Sequence, residues 1–394
     1  MKTLEKNTFK RDKVITISFA HFIHDIYSSF LAPLLPLLID KLSISYGMVG
    51  ILSFIQRFPS LFNPLIGIMA DKIHLRILLV VSPAITTVVM SLLGVAPSYS
   101  VLVVLLFVMG VSSSLFHVPT PVMIKKVSGN KIGKGMSFYM IGGELARTLG
   151  PLFIVGGVSL WGLEGSWKVM PMGLVASIII YFKIRKIQST DEIQRKKSGV
   201  WVILAQFKTF FVILSGYIFF RAFMRQALSV LLPTYLINVR GFSFETGGIA
   251  FTLFQFAGVL GAYFAGKYSD TIGRKAILLT ISICSPLLLF LFIYLDTTFS
   301  LPIIFVLGFF VIAQGPVLLA LVNDIDSERP AFFNGVFMTI SFLIGAIAML
   351  IVGFVSDLIG LEKTLLLTAV LALLAIPFIF WIPATKALNI KHKI

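Results

Sequence analysis

The sequence predicts an all-α membrane protein: twelve transmembrane helices in two pseudo-symmetric six-helix bundles. Three observations carry that prediction. Of 394 residues, 57% are hydrophobic and 13% charged, with mean hydropathy +0.97, whereas soluble chains carry about 25% charge. The apolar residues fall in runs long enough to cross a bilayer as helices of about 20 residues. Those runs divide six and six around one long polar stretch, Lys183 to Gly199.

In order, the spans are expected near 14–39, 47–70, 76–95, 99–123, 135–160 and 165–183, then 208–238, 246–268, 275–295, 299–322, 332–357 and 361–384. The domains follow: an N-terminal bundle over 1–183, a cytoplasmic linker over 184–207 and a C-terminal bundle over 208–394. The basic N-terminus ahead of an apolar run looks like a signal peptide. The run is too long and lacks a small-residue cleavage site, so it reads as a retained first span. Pro59, Pro64, Pro119, Pro121, Pro151, Pro286 and Pro316 fall inside spans, where such breaks mark bending elements.

The net charge of +16 is topological and does not mark a nucleic-acid partner. Twenty-five of the 33 Lys and Arg fall in the termini and alternate loops on one side. The opposite loops hold Lys41, Lys168, Arg240 and Lys363; the spans hold Arg57, Arg147, Arg221 and Arg225. The positive-inside rule then puts both termini in the cytoplasm of a multi-pass protein in the cell inner (plasma) membrane. Cys284 is the single cysteine, which excludes an intramolecular disulfide and a thiol metal site. No phosphate loop, zinc helix or nucleophile elbow is present, so neither an enzyme, nor an ATP-driven pump, nor a metal or other cofactor is expected.

Charged residues at membrane depth are costly and turn towards partners or water. The first span, Ser18 to Leu38, carries His21, His24 and Asp25, with His24 a candidate substrate-binding residue. His21 shares a helix face with Asp25 at i, i+4, a spacing suited to a proton relay; the alternative is that Asp25 is a structural hydrogen-bond acceptor. Glu144 and Arg147, at i, i+3 in the fifth span, form either a second proton site or a self-neutralising pair. Arg57, Arg221 and Arg225 have no local acid. The surplus of positive charge suits an anionic ligand held by guanidinium, although Arg147 or Arg225 can instead snorkel or pair with Asp25 or Glu144. His117, after Ser112-Ser113-Ser114, is a packing residue or a ligand-binding one. Gln56, Gln255 and Gln314 are candidates for neutral polar residues of the cavity that bind substrate.

The two halves repeat weakly: Gln56 aligns with Gln255, Gly67 with Gly266 and Asp71 with Asp270. The loops Gly67…Asp71…Arg76 and Gly266…Asp270…Gly273-Arg274-Lys275 resemble the gating signature of the major facilitator superfamily. The first copy has His74 where glycine is usual and Leu75 where a basic residue is usual. Ala146-Arg-Thr-Leu-Gly150-Pro151, followed by Gly156-Gly157, resembles the fifth-span motif of many antiporters in that superfamily; plain helix packing explains the same small residues. HFIHDIYSSFLAPLLPLL in the first span, SSSLFHVPT around His117 and SFYMIGGELARTLGP from Ser137 to Pro151 resemble the fosmidomycin-resistance group of major facilitator transporters. That resemblance implies a proton-driven efflux permease, with Asp25, His117, Glu144 and Arg147 as motif positions.

The expected protein is thus a monomeric secondary transporter in the lipid bilayer. It exchanges protons for a small-molecule substrate, an organic anion or drug, fosmidomycin-like phosphonates included, and exports it by alternating access. An anion-importing proton symporter is the second reading; a non-transporting membrane sensor is the third.

Overall fold

The computed structural model describes residues 9–63, 66, 75–129, 131–184, 207–324 and 330–382. All regular structure among these is helical. Among the described residues, ten helical segments are long and apolar enough to cross a membrane. The expected spans at 47–70 and 135–160 are not among the ten. The first runs into residues outside the description; the second is one helix, Ile132–Trp161, whose apolar run is interrupted by Lys134, Glu144 and Arg147. The linker expected at 184–207 lies almost wholly outside the described residues.

The chain forms two compact units, residues 1–42 with 58–194 and residues 43–57 with 195–394. The first unit begins with α1, Arg11–Ser28, and α2, Leu31–Leu42. Pro33 cannot donate to the carbonyl of Ser29 and its ring excludes that carbonyl, so the single long span breaks at Ser29–Phe30. Labels α4 to α8 go to Leu75–Ser91, Tyr99–His117, Thr120–Ser128, Ile132–Trp161 and Met170–Ile184. Gly162, at φ +72°, ends α7 in the left-handed region that glycine enters without strain. Val14, Ile17, Ala20, Phe116, Ile124 and Ile180 form an apolar core joining α1, α5, α6 and α8.

The second unit takes in α3, Tyr46–Arg57, although α3 belongs to the first half of the sequence. Its other helices are α9, Lys208–Asn238; α10, Phe244–Thr271; α11, Arg274–Tyr294; α12, Ser300–Ile312; and α13, Gln314–Asn323. Last come α14, Pro330–Ile359; α15, Leu361–Leu373; and α16, Ile376–Trp381. Leu214, Tyr217, Leu278, Val317 and Ile379 are central to its core.

Helix α3 joins this unit by packing its backbone onto α14. A Cβ at Gly353 would lie 2.3 Å from the Tyr46 carbonyl oxygen, and one at Gly50 would lie 3.0 Å from that of Met349. Only glycine permits that approach. The Asp357 carboxylate then accepts from the Tyr46 and Gly47 amides at 2.7 and 2.8 Å. Amides at a helix start have no acceptor within their own helix, and the carboxylate supplies one.

Candidate functional site

The first unit holds a charge cluster where α1, α5 and α7 meet. Helix α7 approaches α1 along a stripe of small residues. A Cβ at Gly142 would lie 2.5 Å from the Ser18 carbonyl oxygen, one at Gly143 2.4 Å from His21 Cε1, and one at Gly150 2.7 Å from the Ile26 carbonyl oxygen. Glycine at these positions brings the α7 backbone against the His21 ring. Gly150 therefore has a packing role in the antiporter-like motif, whereas nothing lies within 4 Å of a Cβ at Gly156.

Asp25, 3% exposed, is the hub. Its Oδ1 accepts from His24 Nδ1 at 2.9 Å and lies 3.3 Å from His117 Nε2. Its Oδ2 lies 3.4 Å from His21 Nε2 and 3.6 Å from Arg147 Nε. Arg147 also reaches Glu144, Nη1 to Oε1 at 3.4 Å. The i, i+4 pairing of His21 with Asp25 and the i, i+3 pairing of Glu144 with Arg147 are thus both realised. Three of the five histidines in the sequence converge on one carboxylate.

Aromatic contacts hold the rings. His21 stacks on Tyr139 at 4.0 Å, His24 on Phe116 at 4.6 Å, and His117 meets both histidines edge-on. Accessibility grades across the cluster: His24 is completely buried, while the side chains of His117 and Arg147 are 34% and 51% exposed. Ligand atoms of His21, Asp25 and His117 lie within 4.8 Å of one another, close enough for one metal ion. Arg147 already brings a positive charge to the same carboxylate, so the donor set fits an ion-pair cluster rather than a metal centre.

The second unit holds a different centre. Arg221 on α9 is completely buried. Its Nε donates to Gln314 Oε1 of α13 at 3.1 Å and its Nη1 to Ser285 Oγ of α11 at 2.8 Å, while Nη2 has no hydrogen-bond partner. Among the described residues no carboxylate pairs with it. Nearby on α9, Gln226 is buried with its Oε1 unpaired. Gln226 and Arg57 of α3 both crowd Gly345, where a Cβ would lie 2.7 Å from Gln226 Nε2 and 3.0 Å from Arg57 Nη1. Gln56, Arg225 and Gln255 are partly buried.

In the second loop motif, Gly273 adopts φ +104°, which accounts for glycine at that position. Arg274 pairs with Asp270 at 2.5 Å and with Asp324 at 3.1 Å, and donates to Ser269 Oγ at 2.6 Å. In the first copy, Gly67 and Asp71 lie outside the described residues, and for Arg76 only its place in α4 is described.

Sequence reasoning missed Tyr139, Ser285, Gln226, Asp324 and Asp357. The one signal available was for Tyr139. It heads the Gly142, Gly143, Ala146, Gly150 stripe at helical spacing, which marks the face of α7 that meets α1.

Residues 17–348 match the Major Facilitator Superfamily. The chain is 24% identical over 372 residues to the fosmidomycin resistance protein of Escherichia coli strain K12, covering 92% of this chain and 91% of that one. It is 26% identical over 299 residues to the multidrug resistance protein MdtG of Salmonella arizonae, covering 71% and 72%. A solved bacterial homologue of the human lysosomal transporter Spinster superposes with TM-score 0.81 at 15% identity, covering 97% and 98%.

Proposed function

This chain belongs to the Major Facilitator Superfamily, and we propose that it is a proton-coupled antiporter exporting small organic anions or drugs by alternating access. It is a multi-pass membrane transporter; the plasma membrane, cytoplasmic termini, monomeric state and anionic cargo are part of the proposal. Export takes its support from the resistance proteins among the relatives, whose first-named member makes phosphonates the cargo to try first.

The observation that carries proton coupling is the Asp25 cluster. A buried carboxylate ringed by His21, His24, His117 and Arg147, with Glu144 as an alternative partner for Arg147, can gain and lose a proton without stranding a charge. Asp25, His21 and Glu144 are assigned to coupling. His24 and His117 line the same centre. Arg57, Arg221, Arg147 and Arg225, with Gln56, Gln255 and Gln314, are assigned to the substrate path; Gly266, Asp270 and Arg274 are assigned to the gate, with Gly67, Asp71 and Arg76 as their counterparts.

Proteoliposomes test the proposal. An imposed proton gradient should drive a phosphonate or an organic anion in the direction opposite to the proton flow. Movement in the same direction would make the protein a symporter, and no flux with any gradient would remove the transport reading.

A further inference from the structure

The hydrogen bonds of the Asp25 cluster determine where a proton can sit. His21 Nδ1 lies 2.8 Å from the backbone carbonyl oxygen of Tyr139. A carbonyl only accepts, so Nδ1 always carries its hydrogen, and this fixes the tautomer of the ring. Neutral His21 therefore turns a bare lone pair at Nε2 towards Asp25. That nitrogen is buried without a hydrogen-bond partner, 3.4 Å from Oδ2 of Asp25. Two acceptors face each other there, an arrangement that one added proton converts into a charge-assisted hydrogen bond.

The other members of the cluster are complete without it. His24 donates from Nδ1 to Asp25 Oδ1, and its buried Nε2 has no acceptor for a second proton. His117 can donate from Nε2 to the same Oδ1 while its Nδ1 faces the Tyr139 hydroxyl at 3.5 Å. Two N–H donors on Oδ1 and the guanidinium beside Oδ2 favour the carboxylate over the acid.

Resting on the proton-coupled reading above, we propose that the coupling proton is bound at Nε2 of His21, with Asp25 as its permanent counter-ion and the Tyr139 carbonyl as the lock on the tautomer. Proton arrival then competes with Arg147 for Oδ2: the His21 imidazolium takes that oxygen, and Arg147 turns to Glu144, already 3.4 Å away. His117, a third exposed, is the route from water.

The groups facing His21 are His24 and Asp25 on its own helix, His117 on α5, and Tyr139, Glu144 and Arg147 on α7. The titratable residues of α4 and α8, namely Arg76, Tyr181 and Lys183, stand at the ends of those helices, and Lys125 and Lys126 of α6 are exposed.

The test is a pH titration of the full-length protein in nanodiscs, read by nitrogen-15 NMR of labelled histidines and by infrared difference spectra. One histidine should pass from neutral, with Nδ1 protonated, to imidazolium on acidification, and this signal should vanish in His21→Gln. No protonated-carboxyl stretch should appear that Asp25→Asn removes. A carboxyl stretch abolished by Asp25→Asn, or a His21 ring that stays neutral as the cluster takes up its proton, would overturn the assignment.

Should His21→Gln fail to fold, Gly143→Ala serves in its place. It presses a methyl onto the His21 ring and leaves both titrating groups in the protein, so it should shift the histidine titration and no carboxyl band; an unshifted titration counts against the assignment. Flux assays separate the two claims. Gradient-driven flux with a carboxyl band sinks the histidine and spares coupling. A titrating His21 without gradient-driven flux sinks coupling and spares the proton site.

Discussion

The two buried charge centres solve opposite problems. In the first unit an anion, Asp25, is surrounded by more potential cations than it needs, and two of these, His117 and Arg147, reach solvent. In the second a cation, Arg221, is sealed completely and donates to the neutral oxygens of Gln314 and Ser285. The first centre can change its charge by one proton at little cost because partners are in surplus. The second cannot change at all: guanidinium does not deprotonate in proteins, and among the described residues no carboxylate pairs with it. One centre is a variable and the other a constant, which suits a coupling site and a fixed positive field respectively.

The largest effect that would break this contrast is expected at Asp25. Asp25→Asn removes the one anion the donors share, so uphill transport in proteoliposomes should fall to the level of empty liposomes, while counterflow exchange survives. Retained uphill transport would move coupling to Glu144.

Next comes Arg221. Arg221→Gln should weaken binding of an anionic ligand about tenfold or more, the 1.5–3 kcal/mol of a hydrogen bond to a charged group, and leave a neutral analogue unaffected. Arg221→Met sharpens the point. With no carboxylate left stranded, its melting temperature should not show the loss of about 3–5 kcal/mol that follows breaking a buried ion pair. A drop of that size would reveal a counter-ion.

Gly143→Ala should cost about 1–3 kcal/mol as overpacking, because the new methyl meets the His21 ring. Gly156→Ala, with open space around it, should be neutral or slightly stabilising in the same thermal-unfolding assay. Equal effects at both glycines would mean that α7 does not press on His21. The smallest change is expected at Asp357→Ala, which removes the cap of α3 at a cost of about 1 kcal/mol, seen as faster amide exchange at Tyr46 and Gly47.

Much of the first centre was legible because its pairings are local. His21 with Asp25 and Glu144 with Arg147 lie four and three residues apart on one helix, and helical geometry alone brings such pairs together. Hydropathy likewise gave the helical membrane class, because lipid leaves the backbone few alternatives. The contacts hidden from the sequence join distant helices: Arg274 to Asp324, Arg221 to Ser285, His21 to the Tyr139 carbonyl. Periodicity identifies which face of a helix is special, but not which other face meets it. The same gap concealed the place of Arg57, which sequence order assigns to the first bundle and packing assigns to the second unit.

The Asp357 cap on α3 also has a consequence for biosynthesis. Its partners, Tyr46 and Gly47, precede it by 311 and 310 residues, so α3 leaves the ribosome long before the carboxylate that caps it. At about 5–20 residues per second, the delay is about 15 to 60 s, during which the amides at the start of α3 lack that acceptor and Gly50 lacks its groove on α14. Within the second unit, α3 is made first and is among the last helices to gain its packing partner. A nascent chain arrested before α14 emerges should leave Tyr46 and Gly47 open to proteases and to amide exchange, and release of the chain should close them.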